Sequence, residues 1–183
     1  MQIALLVAIL AVVAALLRGG SLERLAATQF RATPLLLAGL GLQVVFGLWT
    51  PGWMDDAAGL GILILSNMLM LSWLVVNRAL PGLVIAAAGL VMNLAVISSN
   101  GAMPVSADAA RAAGAERIEI SESALKHELL DDDTRLGFLA DIIPLPGLGV
   151  WSLGDFVLAA GLAVLAYART RRPGSEPADA ASG

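Results

Sequence analysis

The sequence predicts an all-α fold, a polytopic membrane bundle of five transmembrane helices with a small extracytoplasmic cap between helices four and five. Composition is the first reason. Of 183 residues, 58% are hydrophobic and 14% charged, and the mean hydropathy is +0.81. A soluble domain carries about 45–50% apolar and about 25% charged residues, so this chain has too little polar surface to cover a water-exposed globule. Run length is the second reason: apolar segments approaching the ~20 residues that cross ~30 Å of hydrocarbon recur at about residues 2–17, 34–49, 58–76, 81–98 and 151–168. The third is charge placement. Lys and Arg collect on the cytoplasmic side of a membrane, and basic connectors here alternate with a connector that lacks them.

Taken in order, the first run, MQIALLVAILAVVAALLRGG, has no basic residue ahead of its apolar core. Its charge, Arg18, follows, so the run reads as a retained helix rather than a signal peptide. The connector behind it holds Arg18, Arg24 and Arg31; the next, TPGWMDDAAG, holds only Asp55 and Asp56; the third carries Arg78, and the tail carries Arg169, Arg171 and Arg172. This alternation sets the N-terminus outside and the C-terminus in the cytoplasm of a cell (inner or plasma) membrane. Residues 1–98 then form helices one to four, 99–150 the external cap, 151–170 helix five, and 171–183 a disordered tail rich in Pro, Ala, Gly and Ser. Trp49, Trp53 and Trp151 fall at the outer interface, and Trp73 and Tyr167 near the inner one. Small residues four apart, Gly82 with Ala86 and Ala159 with Ala163, suit close helix packing.

The cap carries its own local signals. Ser106 is placed to cap a helix through SADAARAAG that Gly114 ends, and ERIEIS at 116–121 alternates like a short strand. Ser121 or Ser123 is placed to cap ALKHELL, whose Leu125, Leu129 and Leu130 form one stripe, and Asp133 to cap TRLGFLA.

Several chemistries are excluded at the outset. A net charge of −4 without a basic run argues against nucleic acid, whose phosphates are bound mostly by Lys and Arg. Zero cysteines remove thiolate catalysis, Cys-ligated metal and lipidation through sulfur, and a single histidine, His127, leaves no multi-His metal site. No cofactor or metal is expected, because Gly-rich phosphate loops, G-x-S-x-G and H-E-x-x-H are all missing from the sequence. Asp131, Asp132 and Asp133, with Glu128 one turn back, offer oxygen ligands but lack the glycine punctuation of a calcium loop, and they read as capping and solvating groups.

The candidate site lies at the outer face. SNGAMPVS (99–106) follows the fourth helix and supplies Asn100, Met103 and Pro104; DIIPLPGLGVWSLGDF leads into the fifth and supplies Asp141 and Asp155. Two carboxylates at a water–membrane boundary can share a proton and act as an acid–base pair, since the apolar side raises one pKa. His127 lies between the two segments and, with Asn100, is positioned in sequence to orient them. Ser152-Leu-Gly-Asp155 also has the form of a capping box, which gives Asp155 a structural role. Gln43, Asn67 and Asn93 sit within the spans, where amides bond between helices, and Gln43 and Asn93 complete the candidate binding set.

On these residues the chain resembles a family of bacterial multi-pass membrane proteins catalogued as a domain of unknown function. The likeness rests on Arg18-Gly19-Gly20, Gln43, Asn93, the run from Asn100 to Val105, the run from Leu139 to Pro144, and Ser152 to Asp155, and it spans residues 1 to about 170. It implies a fold and a membrane location and imports no activity. A more distant likeness is to the lipoprotein signal peptidase, a membrane aspartyl protease with an Asn-x-Gly-Ala-Ala-Phe run and a Phe-Asn-x-Ala-Asp opening to its last helix. Asn100-Gly101-Ala102 and Trp151 to Asp155 are similar in order. The chain departs from that enzyme in lacking Gly-Asn-x-x-Asp-Arg and in having five helices rather than four.

The expected function is a scaffold or binding module for a protein or lipid at the outer face, with membrane lipids and another membrane protein as partners. The alternatives are an aspartyl-type hydrolase at that surface and a small transporter component.

Overall fold

Apolar side chains run almost unbroken along five helices, and short polar or glycine-bearing turns reverse the chain between them. The computed structural model describes residues 2–49, 51, 54–115 and 127–171. The long helices are α1 (Gln2–Leu17), α3 (Thr33–Leu48), α4 (Asp56–Val76), α5 (Leu83–Asn100) and α7 (Leu153–Thr170); α2 (Leu22–Ala26) and α6 (Ala107–Ala112) are short. Their boundaries follow local chemistry. Pro34 stands in the first turn of α3, Asp55 accepts the amide proton of Ala58 at the start of α4, and Gly101 closes α5 at φ 91°, a left-handed conformation that suits glycine.

The described residues are mostly helical, and three helices, α4, α5 and α7, are long and apolar enough to cross a membrane. α1 and α3 have 16 residues each, about 24 Å at ~1.5 Å per residue. The helices neighbour one another in the order α1, α7, α5, α4, α3. This makes an arc whose two ends, α1 and α3, are not packed side by side. At one end of the bundle, Ser21 N donates to Thr170 O at 2.8 Å, and the Asn77 amide clamps Arg31 by accepting from its N and donating to its O. The segment 101–152 occupies the other end.

α5 and α7 touch through glycines seven residues apart, two helical turns, on each partner. A Cβ on Gly82 or Gly89 of the α5 side would overlap the backbone of Gly161 or Gly154, and one on Gly161 would overlap Ala86. The expected Gly82 and Ala86 lie in this seam. On α7 the residues meeting α5 so closely are Gly154 and Gly161, while Ala159 is buried in a cluster with Trp151 that Val7 of α1 packs against.

The segment 101–152 departs from an all-α cap. β1 (Met103–Val105) pairs in parallel with β2 (His127–Leu129), and β3 (Ile143–Leu145) pairs antiparallel with β4 (Gly149–Trp151) across a turn at Gly147, φ 75°. α6 forms as expected, with Ser106 accepting from Ala109 N and Gly114 beyond its end. The helix expected through ALKHELL is instead β2 over its described part. A helix this short is marginal alone, whereas β1 presents backbone groups that need partners, and Leu129 is half exposed rather than turned into a core.

The helix expected after Asp133 is a single 3-10 turn, Gly137–Leu139, entered through left-handed Leu136. No side chain caps this turn at Leu136; Asp131 Oδ1 instead takes the Asp133 N–H and the Thr134 hydroxyl a few residues upstream. The acidic run is thus spent on a turn. Trp73 and Trp151 are buried at 6% and 7% exposure rather than lying in lipid-facing belts, while Trp49 is exposed. The strand expected at 116–121, Trp53 and the tail from 172 lie outside the described residues.

Candidate functional site

Asp155 is positioned by the first turn of α7. Its backbone N donates to Ser152 Oγ at 3.0 Å, and its Oδ2 accepts from Ser152 N at 3.3 Å, which completes the capping box. α5 then joins in. Asn93 Nδ2 donates to Asp155 Oδ1 at 2.8 Å, and Ser152 Oγ donates to Asn93 Oδ1 at 2.9 Å. Residue 154 must be glycine for this to form, because a Cβ there would collide with Asn93 Oδ1. The capping and candidate-site readings of Asp155 therefore coexist in one carboxylate, each oxygen held by one donor.

Asp141 is held by its backbone against β1: its N donates to Pro104 O and its O accepts from Ser106 N, both at 2.9 Å. The side chain is 6% exposed. Burial first, and the negative charge of Asp155 second, push its carboxyl up from 3.8 to about 7, against a weaker opposing pull from the positive amino terminus. A carboxylate near another in a dry setting resists ionisation in this way.

Both acids border a cavity of about 620 Å³. Its acidic end also holds Asn93, and Asn67 and Gln43 lie deeper; beyond them the wall is Leu36, Met70, Trp73, Leu74, Leu90 and Leu162. Along α4 the cavity runs from Leu63 to Leu74, about 16 Å of helix. Such a shape, apolar with a few convergent polar groups, is that of a small-molecule site.

Of the sequence candidates, Asp141, Asp155, Asn93, Gln43 and Met103 are brought together on this cavity. Pro104 is fully buried and contributes the carbonyl that holds Asp141. Asn100 is not brought there. Its Oδ1 accepts from Arg135 N and its Nδ2 donates to Arg135 O and Val96 O, so it secures the 3-10 turn region instead of orienting the aspartates. His127 pairs through its backbone with Met103, and its side chain lies outside the described residues.

Of the amides, Gln43 Nε2 reaches Ser66 Oγ between helices at 3.2 Å, but Asn67 Nδ2 bonds Leu63 O in its own helix. The contribution of Trp73 and Trp151 to the wall had no signal in sequence beyond their interfacial placement, and Ser152 was marked only by its capping spacing.

Fold and site together define a class: a helical protein of membrane character, with spanning-length apolar helices around a cleft that carries two carboxylates at one end. The model of a family of unknown function, DUF5317, matches residues 27–167, and the chain belongs to that family. The match includes every polar residue of the cleft and excludes α1. No curated protein and no solved structure matches the chain.

Proposed function

We propose that the protein spans the bilayer five times, N-terminus outside and C-terminus in the cytoplasm, and binds a lipid-like amphiphile in its cleft at the outer face. The cleft itself carries this reading, being walled by side chains from five helices with its carboxylates at one end and hydrocarbon at the other. The orientation draws support from Arg18, Arg24, Arg31, Arg78, Arg169 and Arg171, all at the end of the bundle away from the carboxylates, as a cytoplasmic end requires. α1 and α3 are short for a full crossing, and a locally thinned bilayer accommodates such helices at modest cost.

Native mass spectrometry of the protein released from phosphatidylcholine nanodiscs tests the binding. One retained amphiphile per chain is expected for the wild type, and its loss in Leu162→Trp, which fills the cleft. Equal retention by a folded Leu162→Trp rules the cleft out.

One observation favours a second reading, a hydrolase acting on the bound molecule: Asp141 and Asp155 share the cavity, and the charge of one opposes ionisation of the other. Asp155, held by Asn93 and Ser152, is set to be the base, and Asp141, protonated near neutrality, the acid. Single alanine variants of each aspartate, expressed at wild-type level, should then change a lipid or processed-protein profile in the same way. Unchanged profiles remove this reading and leave binding intact.

A further inference from the structure

We infer that the basic end of the bundle holds the phosphate of an anionic phospholipid between Arg18, Arg24 and Arg169, where α1, α2 and the last turn of α7 meet. The inference takes its leaflet, the cytoplasmic one, from the proposed orientation and is independent of what fills the cleft.

The fold brings the three arginines to one junction. Ser21 N donates to Thr170 O at 2.8 Å, and a Cβ on Gly20 would lie 2.6 Å from the same oxygen and 2.7 Å from Ala15 O. The connector behind α1 is therefore seated on the end of α7. Arg24 lies within one helical turn of Ser21, the N-cap of α2, and Arg169 immediately precedes Thr170. Arg18 reaches the same turn of α7 directly, its Nη1 donating to the Tyr167 hydroxyl at 3.1 Å.

The protein does not balance this charge. Among the described residues, the guanidiniums of Arg24 and Arg169 make no hydrogen bond or ion pair, and Arg24 Nη1 and Arg169 Nε are shielded from water without an acceptor. Glu23 is the one acid on α1, α2 and the connectors around them, and it forms no ion pair. The C-terminus of α7 offers roughly half a negative charge, too little for three guanidiniums. Arg24 and Arg169 are half-buried, and a charge drawn partly out of water costs free energy that an adjacent anion offsets.

The surroundings select a lipid. Leu17 and Leu22, 83% and 56% exposed, flank Arg18 and Arg24 on the same stretch of chain, and Tyr167 precedes Arg169 on α7 as an interfacial aromatic does. Guanidiniums beside bare leucines suit a phosphate whose acyl chains continue along the helices. Basic pockets between helices on the cytoplasmic side take phospholipid head groups in this way, and a guanidinium meets a phosphate with two parallel hydrogen bonds.

The test titrates the full chain, in a non-ionic detergent, with phosphatidylglycerol or with phosphatidylcholine of the same acyl chains, and counts bound lipid by native mass spectrometry. Detergent removes sidedness, so the site is read whichever way the bundle faces. The first phosphatidylglycerol should bind about tenfold or more tightly than the first phosphatidylcholine, and Arg24→Gln or Arg169→Gln should each weaken it about fivefold, as ~1 kcal/mol per arginine implies. Exposed Arg18→Gln gives the same readout if either half-buried variant fails to fold. Arg78→Gln removes the same charge from the connector between α4 and α5 and should leave the affinity near the wild-type value.

Equal affinity for the two lipids overturns the inference. A loss in Arg78→Gln as large as in Arg24→Gln replaces the site with the diffuse charge of the whole end. Displacement of the lipid by an equal concentration of inorganic phosphate makes the junction a site for soluble anions and overturns the lipid assignment.

Discussion

At the scale of single residues, the site is two acids given different work by their surroundings. Asp155 sits where donors converge, and Asp141 sits where burial and a neighbouring charge favour the proton. The consequence for stability has a definite sign. Below about 3.8 Asp141 is protonated folded or unfolded; between there and about 7 the unfolded chain ionises while the fold retains the proton, so stability falls as pH rises across that window. About three units at ~1.4 kcal/mol each gives on the order of 4 kcal/mol as an upper figure.

Thermal unfolding in detergent should therefore show a lower midpoint at pH about 8 than at about 5, and Asp141→Asn should flatten the difference; an unchanged slope in that variant would assign the titration elsewhere. Ser152→Ala should cost about 2–3 kcal/mol rather than the ~1 of an ordinary cap, because it also strands Asn93 Oδ1, its buried partner. The capping box was legible from four consecutive residues. Asn93 was legible as a polar residue to be satisfied, but its partner 62 positions away was not, since nothing local encodes that contact.

At the scale of elements, the five apolar helices were readable to within about two residues because apolar length and flanking caps are local properties. The segment 101–152 was not readable to the same degree: β1, β2 and the hairpin exist through pairing across the chain, and helical spacing in ALKHELL had too few residues to compete. The α5–α7 seam falls between these cases, its glycines visible but their partners not. Gly161→Ala is expected to lower the unfolding midpoint because the new methyl meets the Ala86 and Gly82 backbone, which cannot yield as a side chain would. Gly41→Ala in α3 meets nothing within 4 Å and should instead stabilise by roughly 0.5–1 kcal/mol through helix propensity and a less flexible unfolded chain. Opposite signs for the same substitution, read in parallel melts, separate packing from propensity; a neutral Gly161→Ala would mean that the seam is looser than its geometry.

At the scale of the whole molecule, orientation decides what the cleft meets. The arginines at the far end of the bundle come from connectors separated widely in sequence and gathered by the fold, whereas the acids come from 141 and 155 and open at the opposite end. If the basic end is cytoplasmic, the cleft faces the outer leaflet and can draw only on lipids found there; if the bundle is inverted, the same chemistry faces cytoplasmic-leaflet lipids rich in anionic heads, which its carboxylates repel. The native chain has no cysteine, so single introduced thiols report sidedness without background. Asp108→Cys, at a solvated position in the first turn of α6, should react with a membrane-impermeant maleimide in intact cells. Leu22→Cys, exposed on α2 at the other end, should react only after permeabilisation. The reverse pattern would turn the cleft toward the cytoplasm, and the proposed amphiphile would have to be sought in the other leaflet.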